Sequence, residues 1–317
     1  MKIRHSRVHA VALDAEETIF FANQLTAIKA EVIEIQFPEL KARTLIPMDF
    51  STPEGAETIK YRVFEKVGMA KIISSYADDL PRTDIVGSEV VAVIRSIGAS
   101  YGYSRQEIRA AQMAGVSLDA TKARNCRESI LRREDQTAWF GSSAHGISRG
   151  LLNNANMTLV GLPADGEGDV TDFVAKNSDQ VIRDMNAIAA APFEATFGIE
   201  TPDTMLLPVS VWGIVTTNPR ANTDTTILKF FLANSPWIKN VEWLNELTGI
   251  GDGGNDRILV YRRDPSRVVC EVPLDVTEYE PQQKGLEMVI PAESRTAGVI
   301  AKRPLSIAYT DDAVNAE

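Results

Sequence analysis

Little in this chain is equipped for covalent or metal chemistry. Among 317 residues there are two cysteines, Cys126 and Cys270, and three histidines, His5, His9 and His145. Two cysteines without CxxC or Cys/His spacing build neither a disulfide framework nor a zinc site. Cys126 falls at an apolar helical position and reads as a small buried thiol. No apolar run reaches the roughly 18 residues that would mark a membrane span. The basic start Met1-Lys2-Ile3-Arg4-His5-Ser6-Arg7 lacks the apolar region of a signal peptide, because Asp14-Ala15-Glu16-Glu17 cuts short the stretch from Val8 to Leu13. The expectation is a protein made and kept in a cytoplasm, without a membrane. Internal repeats and low-complexity tracts are absent as well.

What is present is ordinary globular material. Hydrophobic residues make up 44% and charged residues 24%, so a packed core is the default and disorder is not. The length admits one large domain or two. A net charge of −10 opposes a dedicated nucleic-acid binder, whose affinity comes mainly from neutralised phosphates. The charge is uneven, however. Lys2, Arg4 and Arg7 stand near the start with no acid among the first ten residues, and the stretch from Arg105 to Arg133 holds seven basic residues against three acids. A solvated face is the ordinary meaning of such runs; a face turned towards packaged polyanion is the functional one.

Asp14 and Glu17 form a capping-box variant that opens a helix running to about Glu34. Extended chain follows from Ala42 to Pro47. Thr58 to Phe64 and Met69 to Tyr76 are strand-like, and Asp78-Asp79-Leu80-Pro81 breaks the chain. Val90 to Ala99 alternates as a strand of a main sheet. Ser104 and Glu107 cap a long helix to Phe140, bent near Gly115-Val116-Ser117. Helices are expected from about Asp172 to Ala190, around Trp212, and from Thr226 to Ala233. Strands are expected at Thr204 to Leu207, Ile238 to Leu244, Ile258 to Tyr261, Arg267 to Val272, Leu286 to Ile290 and Ala297 to Tyr309. Helices set among antiparallel strands indicate an α+β fold.

Motifs with catalytic associations fail in context. Gly146-Ile147-Ser148-Arg149-Gly150 matches the GxSxG nucleophile elbow, but a helix precedes it and no histidine follows Ser148, so the usual chain order of that triad has no candidate. A tight turn is the better reading. Gly249-Ile250-Gly251-Asp252-Gly253-Gly254 matches GxGxxG, yet a strand follows where a phosphate-binding helix is needed. Acidic groups at Asp165, Glu167 and Asp169, and at Asp252, Asn255 and Asp256, lack calcium-loop spacing. No catalytic, cofactor or metal residue is therefore assigned.

The stretch from Pro47 to Leu80 has strand-like pieces but no apolar run able to form its own core. A two-stranded arm is marginal alone in water. A neighbouring copy of the same chain is the natural cover, which points to assembly. Phe50, Tyr61, Phe64 and Tyr76 belong to this arm and are candidate inter-subunit contacts. Trp237 is another, since Trp is enriched at interfaces.

The ordered set of parts resembles a known family. An N-terminal helix, an extended loop, a strand, a long helix from Ser104 to Phe140, the turn Gly146-Ile147-Ser148-Arg149-Gly150-Leu151-Leu152-Asn153, an inserted α/β portion and closing strands resemble the major capsid proteins of tailed bacteriophages with the Hong Kong 97-type fold. Phe20-Phe21-Ala22-Asn23-Gln24-Leu25, Ile46-Pro47, Tyr76-Ala77-Asp78-Asp79-Leu80-Pro81 and Tyr101-Gly102-Tyr103-Ser104 look like one branch of it. The similarity covers nearly the whole chain.

The resemblance implies an N-terminal arm and helix at 1–44, an extended loop at 45–88, a peripheral domain at 89–154 and 271–317 around a spine helix, and an axial domain at 155–270. It implies a structural, non-enzymatic subunit that assembles as pentamers and hexamers into an icosahedral virion shell around double-stranded DNA, formed in a bacterial cytoplasm. Lys2, Arg4, Arg7, Arg124 and Arg127 are the candidates for an inward basic surface. Scaffolding, portal and cement proteins are possible partners, with scaffold and protease expected as separate chains where needed. The family's lysine cross-link carries no motif that transfers to Lys60, Lys66 or Lys71. Encapsulin nanocompartment shells share the fold and form one alternative. A serine hydrolase using Ser148 is the other.

Overall fold

The computed structural model describes residues 38–72, 82–114, 121–168 and 170–314. The chain divides into two units, Met1–Glu39 and Leu40–Glu317, and the elements below belong to the second. The expected helix from Asp14, the break at Gly115-Val116-Ser117, Tyr76 and the Asp78-Asp79-Leu80-Pro81 turn lie outside the described residues.

A short helix α1 (Ala42–Leu45) leads to β1 (Met48–Asp49), β2 (Thr58–Val67), β3 (Asp84–Val93) and β4 (Arg95–Ser104). Strands β2 and β3 form a two-stranded antiparallel sheet of their own, from Thr58 opposite Val93 to Val67 opposite Asp84. The single strand expected from Val90 to Ala99 is in fact two, divided at Ile94. Ile94 is buried, and its N–H donates to the Glu57 carbonyl at 2.9 Å. Burying that side chain turns the strand direction, so the alternation continues in sequence while the sheet changes. Residues 69–72 form no strand, against expectation.

Helices α2 (Arg105–Ala114) and α3 (Thr121–Phe140) occupy the expected long-helix stretch. The predicted capping box is present: Glu107 N–H donates to Ser104 Oγ, and Ser104 N–H donates to the Glu107 carboxylate. Beyond a connecting turn come β5 (Thr158–Leu159), α4 (Ser178–Ala195), β6 (Thr204–Leu207), α5 (Val209–Thr217), α6 (Ile227–Asn234), β7 (Asn240–Trp243), β8 (Asp256–Tyr261) and β9 (Val268–Glu271). Helix α4 starts six residues later than expected from Asp172, because Asn177 and Gln180 make a reciprocal capping box there. The remaining strands are β10 (Leu274–Glu278), β11 (Gln282–Lys284), β12 (Glu287–Thr296), β13 (Gly298–Ala301) and β14 (Ala308–Val314). One strand is expected from Ala297 to Tyr309; a turn at Pro304–Ser306 divides it, while Gly298, at φ +72°, marks the junction of β12 with β13.

Three apolar clusters follow from this topology. In the first, α4, α5 and α6 pack on the sheet ordered β5-β14-β8-β6-β7 through Met185, Ile188, Val211, Phe231, Met205 and Val260. In the second, Trp139 of α3 meets Leu151, Leu152, Leu206, Leu259, Tyr261 and Cys270. The third is thin: Cys126 and Ile130 of α3 rest on Ala292, Ile97 and Tyr101 of the β12 and β4 pair. Hairpin β2-β3 contributes to none of them.

Candidate assembly surfaces

The hairpin has two unlike faces, because residues directly opposite in an antiparallel pair share a side of the sheet. One row pairs Ile59 with Ala92, Tyr61 with Val90 and Val63 with Ser88, then Val86 with Glu65 and Val67 with Asp84. Val63, Val67, Val86 and Val90 of that row are exposed. The other row carries Lys60 and Arg62, both within ion-pair distance of Glu89 at 3.7 and 3.4 Å. Phe64 is 66% exposed, and its ring passes close to Gly87 on the opposite strand. Fully burying a Val side chain is worth roughly 1.5–3 kcal/mol, a gain this chain alone leaves unrealised. Phe50, just before the hairpin, is also exposed.

The hairpin's base is held firmly. Glu271 is only 2% exposed and lies at the end of β9. It accepts one hydrogen bond from the Tyr61 hydroxyl and another from Thr52 Oγ1 at 3.1 Å. Burial, then the adjacent Glu271 carboxylate, push the Tyr61 phenol above its ordinary range. Lys302 Nζ sits 5.1 Å from the Tyr61 ring centre, and the Arg295 guanidinium donates to the Glu54 carbonyl. Of the predicted contact residues, Tyr61 is thus turned towards its own chain at the base, whereas Phe50 and Phe64 face outward. Glu271 was missed from the sequence. Its signal is a lone carboxylate inside the apolar run Val268-Val269-Cys270-Glu271-Val272.

The turn after α3 is fixed by close backbone crossing. Gly141 has φ +73°, and a side chain on it would meet the Arg149 backbone at 2.7 Å; one on Gly150 would overlap the Trp139 carbonyl. Asn153 Oδ1 accepts the Gly150 N–H at 2.7 Å, and Asn153 Nδ2 donates to the Phe140 carbonyl at 3.0 Å. The histidine of this turn, His145, pairs through Nδ1 with Ser142 Oγ at 2.8 Å. Ser148 is exposed in a loop that no strand precedes and no helix follows. The elbow geometry required of a hydrolase is absent among the described residues.

Around α3 the carboxylates are committed to structure. Asp135 accepts the Ala42 N–H at 2.7 Å and the Trp139 indole N–H at 3.0 Å, and burial pushes its carboxyl up to about 6. Arg43 donates to Glu134 at 2.9 Å and Asp275 at 2.7 Å; burial opposes ionisation of Asp275, but Arg43 holds it below its ordinary range. Arg124 and Arg127 are exposed on the same helix. Lys2, Arg4 and Arg7 lie outside the described residues.

The portion from β5 to β8 carries a buried charge network. Lys176 Nζ donates to Asp184 at 2.5 Å and to the Pro163 carbonyl at 2.7 Å, with both side chains almost fully buried. Arg183 donates to Asp165 at 2.5 Å and to Asp184, so Asp165 is already engaged by cations. Asp256 accepts from Ser210 and from the Gly249 N–H, and Asp311 binds Arg257 through both oxygens. The GxGxxG loop runs into strand β8, as expected. Among the described residues no cluster of three His, Cys, Asp or Glu side chains is placed to hold a metal. Trp237 is half-buried, its ring 5.8 Å from that of Phe193. Beyond them Phe197, at φ 52°, is 97% exposed.

A family model described as Major capsid protein matches residues 68–312. Among solved structures, "The capsid of Myoviridae Phage XM1" is 15% identical, with a TM-score of 0.78, covering 93% of this chain and 98% of that one. "Mycobacterium phage Adephagia" is also 15% identical, with a TM-score of 0.61 over 99% and 100% of the two chains. "Crystal structure of virus-like particle from Pyrococcus furiosus" is 12% identical, with a TM-score of 0.53 over 84% and 90%. No curated protein sequence matches the chain.

Proposed function

The chain belongs to the major capsid protein family, and from that premise we propose that it builds, as pentamers and hexamers, an icosahedral phage head around double-stranded DNA. It is a structural shell subunit of the Hong Kong 97-type fold and not an enzyme. The observation that carries the finer reading is the hairpin: ten paired residues per strand with no core cluster beneath them and an apolar row exposed. Such a strand pair gains its burial from a neighbour, which couples order in the arm to assembly.

In this reading residues 45–88 act as the extended loop over an adjacent subunit. Residues 89–154 and 271–317 act as the peripheral domain, 155–270 as the axial domain and 1–44 as the N-terminal arm. Phe50, Tyr76 and Trp237 contribute inter-subunit contacts, whereas Phe64 lies across Gly87 of its own hairpin. Arg124 and Arg127, with Lys2, Arg4 and Arg7, supply the basic surface that meets DNA through its phosphates, without sequence preference. Closed shells of this kind arise from several modest interfaces repeated by symmetry. Bacterial cytoplasm is the site of assembly, and scaffolding, portal and cement proteins are the expected companions.

Electron microscopy of the protein expressed alone and with its neighbouring genes tests this. Shells containing nuclease-protected DNA are expected when the packaging genes are present. Persistent monomers under all conditions overturn the assembly reading, and shells filled with a protein cargo overturn the DNA reading.

A further inference from the structure

We infer that the neighbouring copy is met by one face of the hairpin, the row containing Val63, Val67, Val86 and Val90, and that Glu271 is the positioning residue that aims this face. The inference rests on the shell-subunit reading and adds which side of the arm is the contact and what sets it.

The register supplies the first step. Tyr61 belongs to the row with Ile59, Val63 and Val67, and its cross-strand partner is Val90. Tyr61 also donates to Glu271 and lies beside Lys302, both of the chain's own body. The side of the hairpin that bears Tyr61 is therefore the side turned towards the body at its root. Ile59 and Tyr61 are half-buried there; Val90, directly opposite Tyr61, is exposed, and Val63, Val67 and Val86 continue the same row outward and are exposed too. A surface that prolongs the body is needed to cover them, and a second copy of this chain, seated against the first, supplies one.

The opposite row has a different character. Its middle is occupied by the Lys60, Arg62 and Glu89 ion pairs; Phe64 lies across Gly87 of the same hairpin, and the row's exposed apolar remainder is Val91 beside that charged centre and Ile85 at the far end. Charged side chains on a strand face hold water and oppose packing. The two faces thus differ in what they can bury, although single residues on them are equally exposed: Val90 at 49% and Val91 at 52%.

The latch explains why the direction is fixed. A buried carboxylate left without donors is costly. Glu271 accepts from the hydroxyls of Tyr61, in β2, and Thr52, in the segment just before the hairpin. Rotating the arm away breaks the Tyr61 bond and leaves that carboxylate oxygen without its donor. Glu271 thereby couples the orientation of the arm to the β9 strand of the body.

Val90 and Val91 make a matched test, since they are adjacent, alike in exposure and on opposite faces. Val90→Gln and Val91→Gln proteins are expressed alongside wild type, and shells are separated from unassembled subunit by sedimentation. Shell yield is expected to fall at least tenfold for Val90→Gln, because one weakened contact recurs at every interface, and to stay within about twofold for Val91→Gln. Both unassembled variants should melt within about 2 °C of wild type, as exposed substitutions do. Equal losses, or a larger loss for Val91→Gln, overturn the choice of face. Tyr61→Phe should speed amide exchange in Thr58–Tyr61 and give shells of mixed diameter; unchanged exchange and uniform shells overturn the latch. Wild-type protein that forms no shell at all refutes the underlying shell reading, a result distinct from either of these.

Discussion

The Asp135 carboxylate receives the backbone N–H of Ala42 at 2.7 Å and the Trp139 indole N–H on its other oxygen. Through that one side chain the helical turn at Ala42–Leu45 is tied to the long helix α3. The site is apolar enough that burial raises the carboxyl to about 6, so the folded chain holds this proton more tightly than the unfolded chain does.

A pH dependence follows. A raised carboxyl pKa adds stability that is complete below the unfolded value near 3.8 and is lost as pH rises through about 6. Screening reduces the effect to about 2 kcal/mol. Thermal melts of unassembled Asp135→Asn and wild-type subunits should show their difference changing between pH 5 and pH 7.5, with the variant relatively more stable at the upper end. A constant difference across that range contradicts the assignment.

Breaking the buried pair beneath α4 should be costly. Asp184→Ala leaves the Lys176 ammonium, whose side chain is fully buried, without its closest carboxylate, and a loss of about 3–5 kcal/mol is expected. The double variant Lys176→Met with Asp184→Leu should lose less than Asp184→Ala alone, because no charge is stranded. Chemical denaturation of the three proteins measures both.

The turn after α3 separates structure from catalysis. Gly150→Ala drives a methyl group into the Trp139 carbonyl and should cost more than about 3 kcal/mol or prevent soluble expression. Ser148→Ala, at an exposed position, should change stability by less than about 0.5 kcal/mol and leave shell yield unaltered. Ester hydrolysis by wild type that vanishes in Ser148→Ala would restore the hydrolase.

Removing the hairpin should spare the body. Replacing Thr58–Val93 with a short glycine linker leaves the three apolar clusters intact, so circular dichroism and a cooperative melt should persist. Closed shells should not form. Global unfolding of this variant would place the hairpin in the core.

Legibility differed by element, for physical reasons. Thr58 to Phe64 could be read because alternation is a local property, and the strand found there extends it only to Val67. Its partner, β3, could not, because Val90 to Val93 alternate in the same phase as β4 and only the burial of Ile94 separates them. Helix α4 was placed too early by the apolar Phe173, whose N–H in fact donates to the Ala313 carbonyl; the Asn177 and Gln180 box marked the true start. Strands β10 and β11 are short and mostly exposed, and they owe their existence to pairing with β12, which no local pattern announces. The assembly role was legible from the arm and from the failure of each catalytic motif in context. Glu271 was not, since its importance comes from Tyr61 and Thr52, about two hundred positions away.

The bond between Glu57 and Ile94 means that the hairpin leaves and re-enters the body at nearly a single point. Chain spliced between those residues adds little closure entropy as it lengthens, and the body need not be rethreaded to receive it. The hairpin is in effect an exchangeable cassette. Lengthening, shortening or grafting at this port leaves the packing of the three apolar clusters as it is.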